Sequence, residues 1–64
     1  MTQKELLYFE DAIGHEDSIV KICQDMINNL QDENLISFIN SEIEIHKSLR
    51  EKLNSWLEEK VNGW

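Results

Sequence analysis

No proline interrupts this chain, and along nearly its whole length apolar residues recur in steps of three and four, the repeat of an α-helix that buries one face. One polar stretch breaks the pattern. Asn28 and Asn29, followed by Gln31-Asp32-Glu33-Asn34, form the only turn-like composition in the interior and divide the sequence into two long amphipathic segments. A first helix is expected from about residue 3 to about residue 30, opened by a capping box in which Thr2 caps the amide of Glu5 and the Glu5 carboxylate reaches back. A turn at about 31–33 and a second helix over about 33–61 follow. Asp32 is the expected N-cap, Glu33 lies near the positive end of the helix dipole, and Asn62-Gly63 is the expected terminator. A connection this short makes the helices antiparallel neighbours, so residues 1–64 read as a single all-α helical hairpin.

The faces of the two helices say more than their ends. On the first, a heptad stripe runs Leu6, Phe9, Ile13, Glu16, Val20, Cys23, Ile27, Leu30; on the second, Leu35, Ile39, Glu42, His46, Leu49, Leu53, Trp56. Beside these lie flanking apolar residues: Tyr8, Ala12, Ile19, Ile22 and Met26 on the first helix, and Ile36, Phe38, Ile43, Ile45 and Leu57 on the second. One partner helix covers only a narrow seam, and apolar arcs this wide call for a second neighbour for each helix. The expectation is a homodimer closing a four-helix bundle, with a larger assembly or a different protein partner as the alternatives.

Size points the same way. A chain of 64 residues seldom builds a core worth more than ~3–5 kcal/mol, and usually leans on a disulfide, a metal, very regular helix packing or a partner subunit. Cys23 is the only cysteine, so no intramolecular disulfide can form and no zinc-knuckle or redox motif exists; it reads as a small buried apolar residue. The opening MTQKELLYFED has neither a basic n-region nor an uninterrupted apolar run, which predicts no signal peptide, no membrane span and a cytoplasmic location. With 13 acidic against 6 basic residues the net charge is −7, which repels phosphate backbones and anionic lipid. Nucleic acid and membrane are therefore not expected partners.

Glu16, Glu42 and His46 interrupt the stripes at core-type positions, where an unpaired charge would cost several kcal/mol. Folding the hairpin about Asp32 sets Glu16 level with about residue 48, so all three should share one polar layer. Two readings of that layer stand side by side. It either fixes register and partner choice by hydrogen bonding, as single buried polar residues do in coiled coils, or holds a divalent ion. At the centre of a two-fold dimer, four carboxylates and two imidazoles would converge, a ligand set suited to iron, manganese or zinc. His15, beside Glu16, and Glu10 read as interfacial or solvated side chains, and Tyr8, Phe9, Phe38 and Trp56 as core. Trp64, beyond Gly63, reads as frayed or packed on the end of the bundle.

The segments KELLYFEDAIGHE and LQDENLISFINSEIEIHKSL resemble the ferritin-like proteins, in particular the small spore coat protein F-like proteins of spore-forming bacteria, over most of the chain. In that family a helix-one Glu and a Glu-x-x-His on the next helix bind metal, and the resemblance matches Glu16 to the first and His46 to the last. Three residues before His46 stands Ile43, so this chain offers Glu42-x-x-x-His46 instead. An i,i+4 pair still shares a helix face and can hold one ion. Coat-type members often lack complete metal sites, and the resemblance then implies a structural, spore-associated role.

No nucleophile, base and orienting group can be assembled. Ser18, Ser37, Ser41, Ser48 and Ser55 have no His at hydrogen-bonding spacing on a shared core face, and there is no glycine-rich phosphate loop. The functional expectation is a non-enzymatic structural or interaction protein, with a metal-binding miniature ferritin-like bundle as the alternative and a hairpin docked on a larger protein as a third.

Overall fold

In the computed structural model, which describes residues 1–62, the chain forms α1 (Gln3–Ile27) and α2 (Glu33–Asn62), packed side by side as a hairpin. The Cα envelope measures 48 × 15 × 11 Å, the thickness of a single helix layer. No helix among the described residues is long and apolar enough to cross a membrane. The expected terminator Gly63 and the expected frayed Trp64 lie outside the described residues.

Both helix starts form as the sequence predicts. At α1 the Glu5 amide donates to the Thr2 hydroxyl at 3.1 Å, and the Thr2 amide donates to the Glu5 carboxylate at 2.8 Å. Hydrogen bonding of the carboxylate to Thr2, first to its backbone amide and then to its side chain, holds the Glu5 carboxyl below its ordinary value. A carboxyl lowered in this way stabilises the fold above its unfolded-state value, and the contribution disappears as pH falls through the folded-state one. At α2 the Asp32 carboxylate accepts from the amides of Asn34 and Leu35 at 2.8 and 3.2 Å, satisfying two of the donors a helix start leaves open.

The end of α1 differs from expectation: the helix stops at Ile27, three residues before Leu30. Its last turn tightens into bonds from the Asn29 amide to the Met26 carbonyl and from the Leu30 amide to the Ile27 carbonyl. The Asn29 side-chain amide donates to the Asp25 carbonyl at 2.9 Å, taking up an acceptor that has lost its helical partner. Leu30, now in the turn, still packs against the core.

The inner face of α1 is the one expected, with Leu6, Phe9, Ile13, Glu16, Val20, Cys23 and Ile27 all wholly or partly buried, and Leu30 in the turn continues it. On α2 the seam is rotated. Leu35, Leu49 and Trp56, expected on it, are 49, 40 and 55% exposed, whereas Ile43, expected on the flank, is the best-buried residue of the core at 5%. The seam runs instead through Ile36, Ile39, Ile43, His46, Arg50, Leu53 and Leu57. The cause lies in the sequence, since α2 carries two parallel heptad stripes offset by one residue and both are largely apolar. Taking the Ile36/Ile43/Leu57 stripe inward buries Ile43 beside Ile39 and Cys23, with Val20 packed against them, and it turns Leu35, Phe38, Ile45, Leu49 and Trp56 outward.

The core proper is small, Cys23, Ile39 and Ile43 with Ile19, Val20, Ile27 and Leu30 packed around them, all at the turn end of the hairpin. Ile43→Ala should therefore cost about 2–4 kcal/mol and Leu35→Ala less than 1 kcal/mol, read as shifts in a urea melt. The reverse ranking would restore the seam first expected.

Candidate functional site

The middle of α1 and the middle of α2 meet at a layer with little apolar content. Among the described residues Glu16, on the inner stripe of α1, is the only buried polar one, at 9% exposure. Opposite it, His46 reaches across from α2 and places Nδ1 2.5 Å from Glu16 Oε2. A carboxylate can only accept, so the contact puts a proton on Nδ1. The other ring nitrogen faces the preceding turn of its own helix, where Glu42 Oε2 lies 3.7 Å from Nε2. The three residues singled out from the sequence are thus brought together in one layer, and the imidazole stands between the two carboxylates.

That order has chemical consequences. Glu16 and Glu42 address opposite edges of the ring, so they do not converge on a common point, and among the described residues no three His, Cys, Asp or Glu side chains gather where one ion could touch them all. The arrangement instead gives the roles of an orienting carboxylate and an open nitrogen: Glu16 fixes the tautomer and the plane of His46 and leaves Nε2 directed toward Glu42. Among the described residues no buried side-chain polar atom lacks a partner.

The layer is wider than the sequence reading made it. Arg50 Nε donates to Asp17 Oδ1 at 2.9 Å, one helical turn beyond His46, in a second bridge between the helices. Neither residue was picked out beforehand, although Arg50 falls on the seven-residue repeat Ile36, Ile43, Arg50, Leu57 and was legible once that stripe was the seam. Both partners of this pair are well exposed, so it adds direction more than stability.

His15 and Glu10 are exposed, as the sequence suggested. Two of the serine hydroxyls are spent on their own helix, Ser18 donating to the Gly14 carbonyl at 3.1 Å and Ser41 to the Ser37 carbonyl at 3.2 Å. Cys23, buried against Ile39 and Ile43, takes the place of a small apolar residue.

Comparison with protein-family models, with curated proteins and with solved structures finds no match to this chain.

If Glu16 and His46 satisfy one another, then Glu16→Leu or His46→Leu alone strands the remaining group and should cost about 1–3 kcal/mol, while the double replacement recovers much of the loss. A double-mutant cycle on urea melts measures this, and additive losses would mean that the two side chains do not interact in solution.

Proposed function

We propose that this protein is a non-enzymatic, self-associating helical hairpin, one half of a homodimeric four-helix bundle of ferritin-like arrangement, with a structural or interaction role. The observation that carries the reading is the unpartnered outer face. Tyr8, Ile22, Phe38, Ile45 and Trp56 are each more than half exposed, although they are large and apolar. A globular monomer of 7.6 kDa exposes about 4,300 Å² by the usual scaling with mass. This hairpin exposes 5003 Å². The excess, about 700 Å², is close to the ~800 Å² that each partner gives up in a standard interface. A second hairpin is the cover that demands no other gene product. The spore-associated setting belongs to the same proposal and rests on the sequence resemblance alone.

Sedimentation equilibrium should return twice the 7.6 kDa chain mass at micromolar concentration, with a melting temperature that rises as protein concentration rises. A folded monomer with a concentration-independent melt would overturn the reading.

A second reading, a metal-binding bundle, is favoured by one feature of the layer. With Glu16 holding Nδ1, His46 Nε2 and Glu42 Oε2 stand 3.7 Å apart, a separation that two ligands of one ion can span, and this is the carboxylate–histidine–metal order in which the orienting carboxylate stays off the ion. One chain supplies two donors, so further ligands would have to come from a second copy or from water. Iron, manganese or zinc, added to chelator-stripped protein, should then raise the melting temperature, and the rise should vanish in His46→Ala. No rise with any of the three ions would leave the layer as a device that fixes register.

A further inference from the structure

The face left outside the hairpin has an order that selects one way of pairing. On α2 the outward stripe reads Leu35, Phe38, Glu42, Ile45, Leu49, Lys52, Trp56, in steps of three and four. The large apolar members are exposed, and Ile45, Leu49 and Lys52 line a shallow depression on this face. Laid against itself end for end about residue 47, the stripe sets Ile45 against Leu49, Glu42 against Lys52 and Phe38 against Trp56. For these six members apolar meets apolar, aromatic meets aromatic and each charge meets its opposite, while Leu35 falls level with Glu59. Laid parallel and in register, the same stripe sets Glu42 on Glu42 and Lys52 on Lys52, which is repulsive twice over.

The axis this pairing needs lies where the hairpin can use it. The midpoint of α2 is at residues 47 and 48 and that of α1 at residue 15, and the Glu16–His46 contact shows that these midpoints lie at the same height. A two-fold axis perpendicular to the helices at that height overlaps two hairpins along their whole length. It also brings the outer stripe of α1, Tyr8, Ala12, His15, Ile19, Ile22 and Met26, against its own copy. The competing arrangement, with the axis along the bundle, packs α2 on α1 of the second copy at equal height. Glu42 would then fall between Ile19 and Ile22 with no cation opposite.

Resting on the self-association proposed above, we infer that the docking partner of the outer α2 face is the same face of a second copy, antiparallel about residue 47, with Glu42 of each chain paired to Lys52 of the other. The α2–α2 seam then carries two equivalent ion pairs flanking an Ile45/Leu49 centre, and the polar layer of each hairpin lies across the two-fold axis from the other.

The test is a charge exchange read by sedimentation and by isotope-resolved mass spectrometry of intact complexes. Glu42→Lys or Lys52→Glu alone replaces two attractions by two repulsions and should weaken the homodimer about tenfold. Mixing the two variants restores opposite charges at every meeting point. The mixture should therefore form a heterodimer at least as tight as the wild-type homodimer, with few homodimers of either variant. Circular dichroism on each variant checks that the helices persist. A wild-type dimer whose two variants stay weak when mixed, or are not weakened at all, overturns this pairing while leaving self-association standing. A wild-type monomer overturns both.

Discussion

A helix packed against one neighbour can hide a single stripe of side chains, and every other feature of this protein follows from having more apolar surface than one stripe can take. The hairpin is a single layer, 11 Å thick, and its core is confined to a cluster around Cys23, Ile39 and Ile43. None of the described side chains is fully removed from water. Burial at about 25 cal/mol per Å² of apolar surface cannot accumulate far in such a geometry, and the ordering entropy of the chain has to be met by something else.

Part of the answer is local. The capping box at Thr2 and Glu5 and the Asp32 cap serve both helix starts, and the Asn29 side chain serves the end of α1, so some of the backbone groups freed at three of the termini have partners before any tertiary contact is made. Part lies between the helices. Glu16–His46 and Asp17–Arg50 are polar contacts across the seam at mid-length, where an apolar pair would have been easier to bury. What polar contacts supply and an apolar pair does not is height: a Leu can slide by a turn against its neighbours at little cost, whereas a half-buried carboxylate cannot leave its imidazole. The polar layer therefore ties α1 to α2 at mid-length.

The helical nature of the chain, its division at Asn28–Asn34, both N-caps and the whole inner stripe of α1 were legible in the sequence, because each depends on neighbours within a turn or two. So was the meeting of Glu16, Glu42 and His46, since an antiparallel hairpin with a short turn leaves little freedom in height. What was misread was the rotation of α2 about its own axis. Its two apolar stripes are offset by one residue, both are continuous, and periodicity alone weighs them equally. For the same reason Arg50 was not singled out and its pairing with Asp17 went unseen.

The sequence by itself determined that this would be two capped helices with a polar band at mid-length, because hydrogen bonding at helix ends and the period of an α-helix act over a few residues and need no information from elsewhere in the chain. Only the tertiary structure decided which of two similar faces of α2 turns inward, and which nitrogen of His46 each carboxylate meets. That choice turns on how Ile43 packs with Cys23 and the α1 side chains around it, a matter of shape between distant parts of the chain that composition and spacing do not carry.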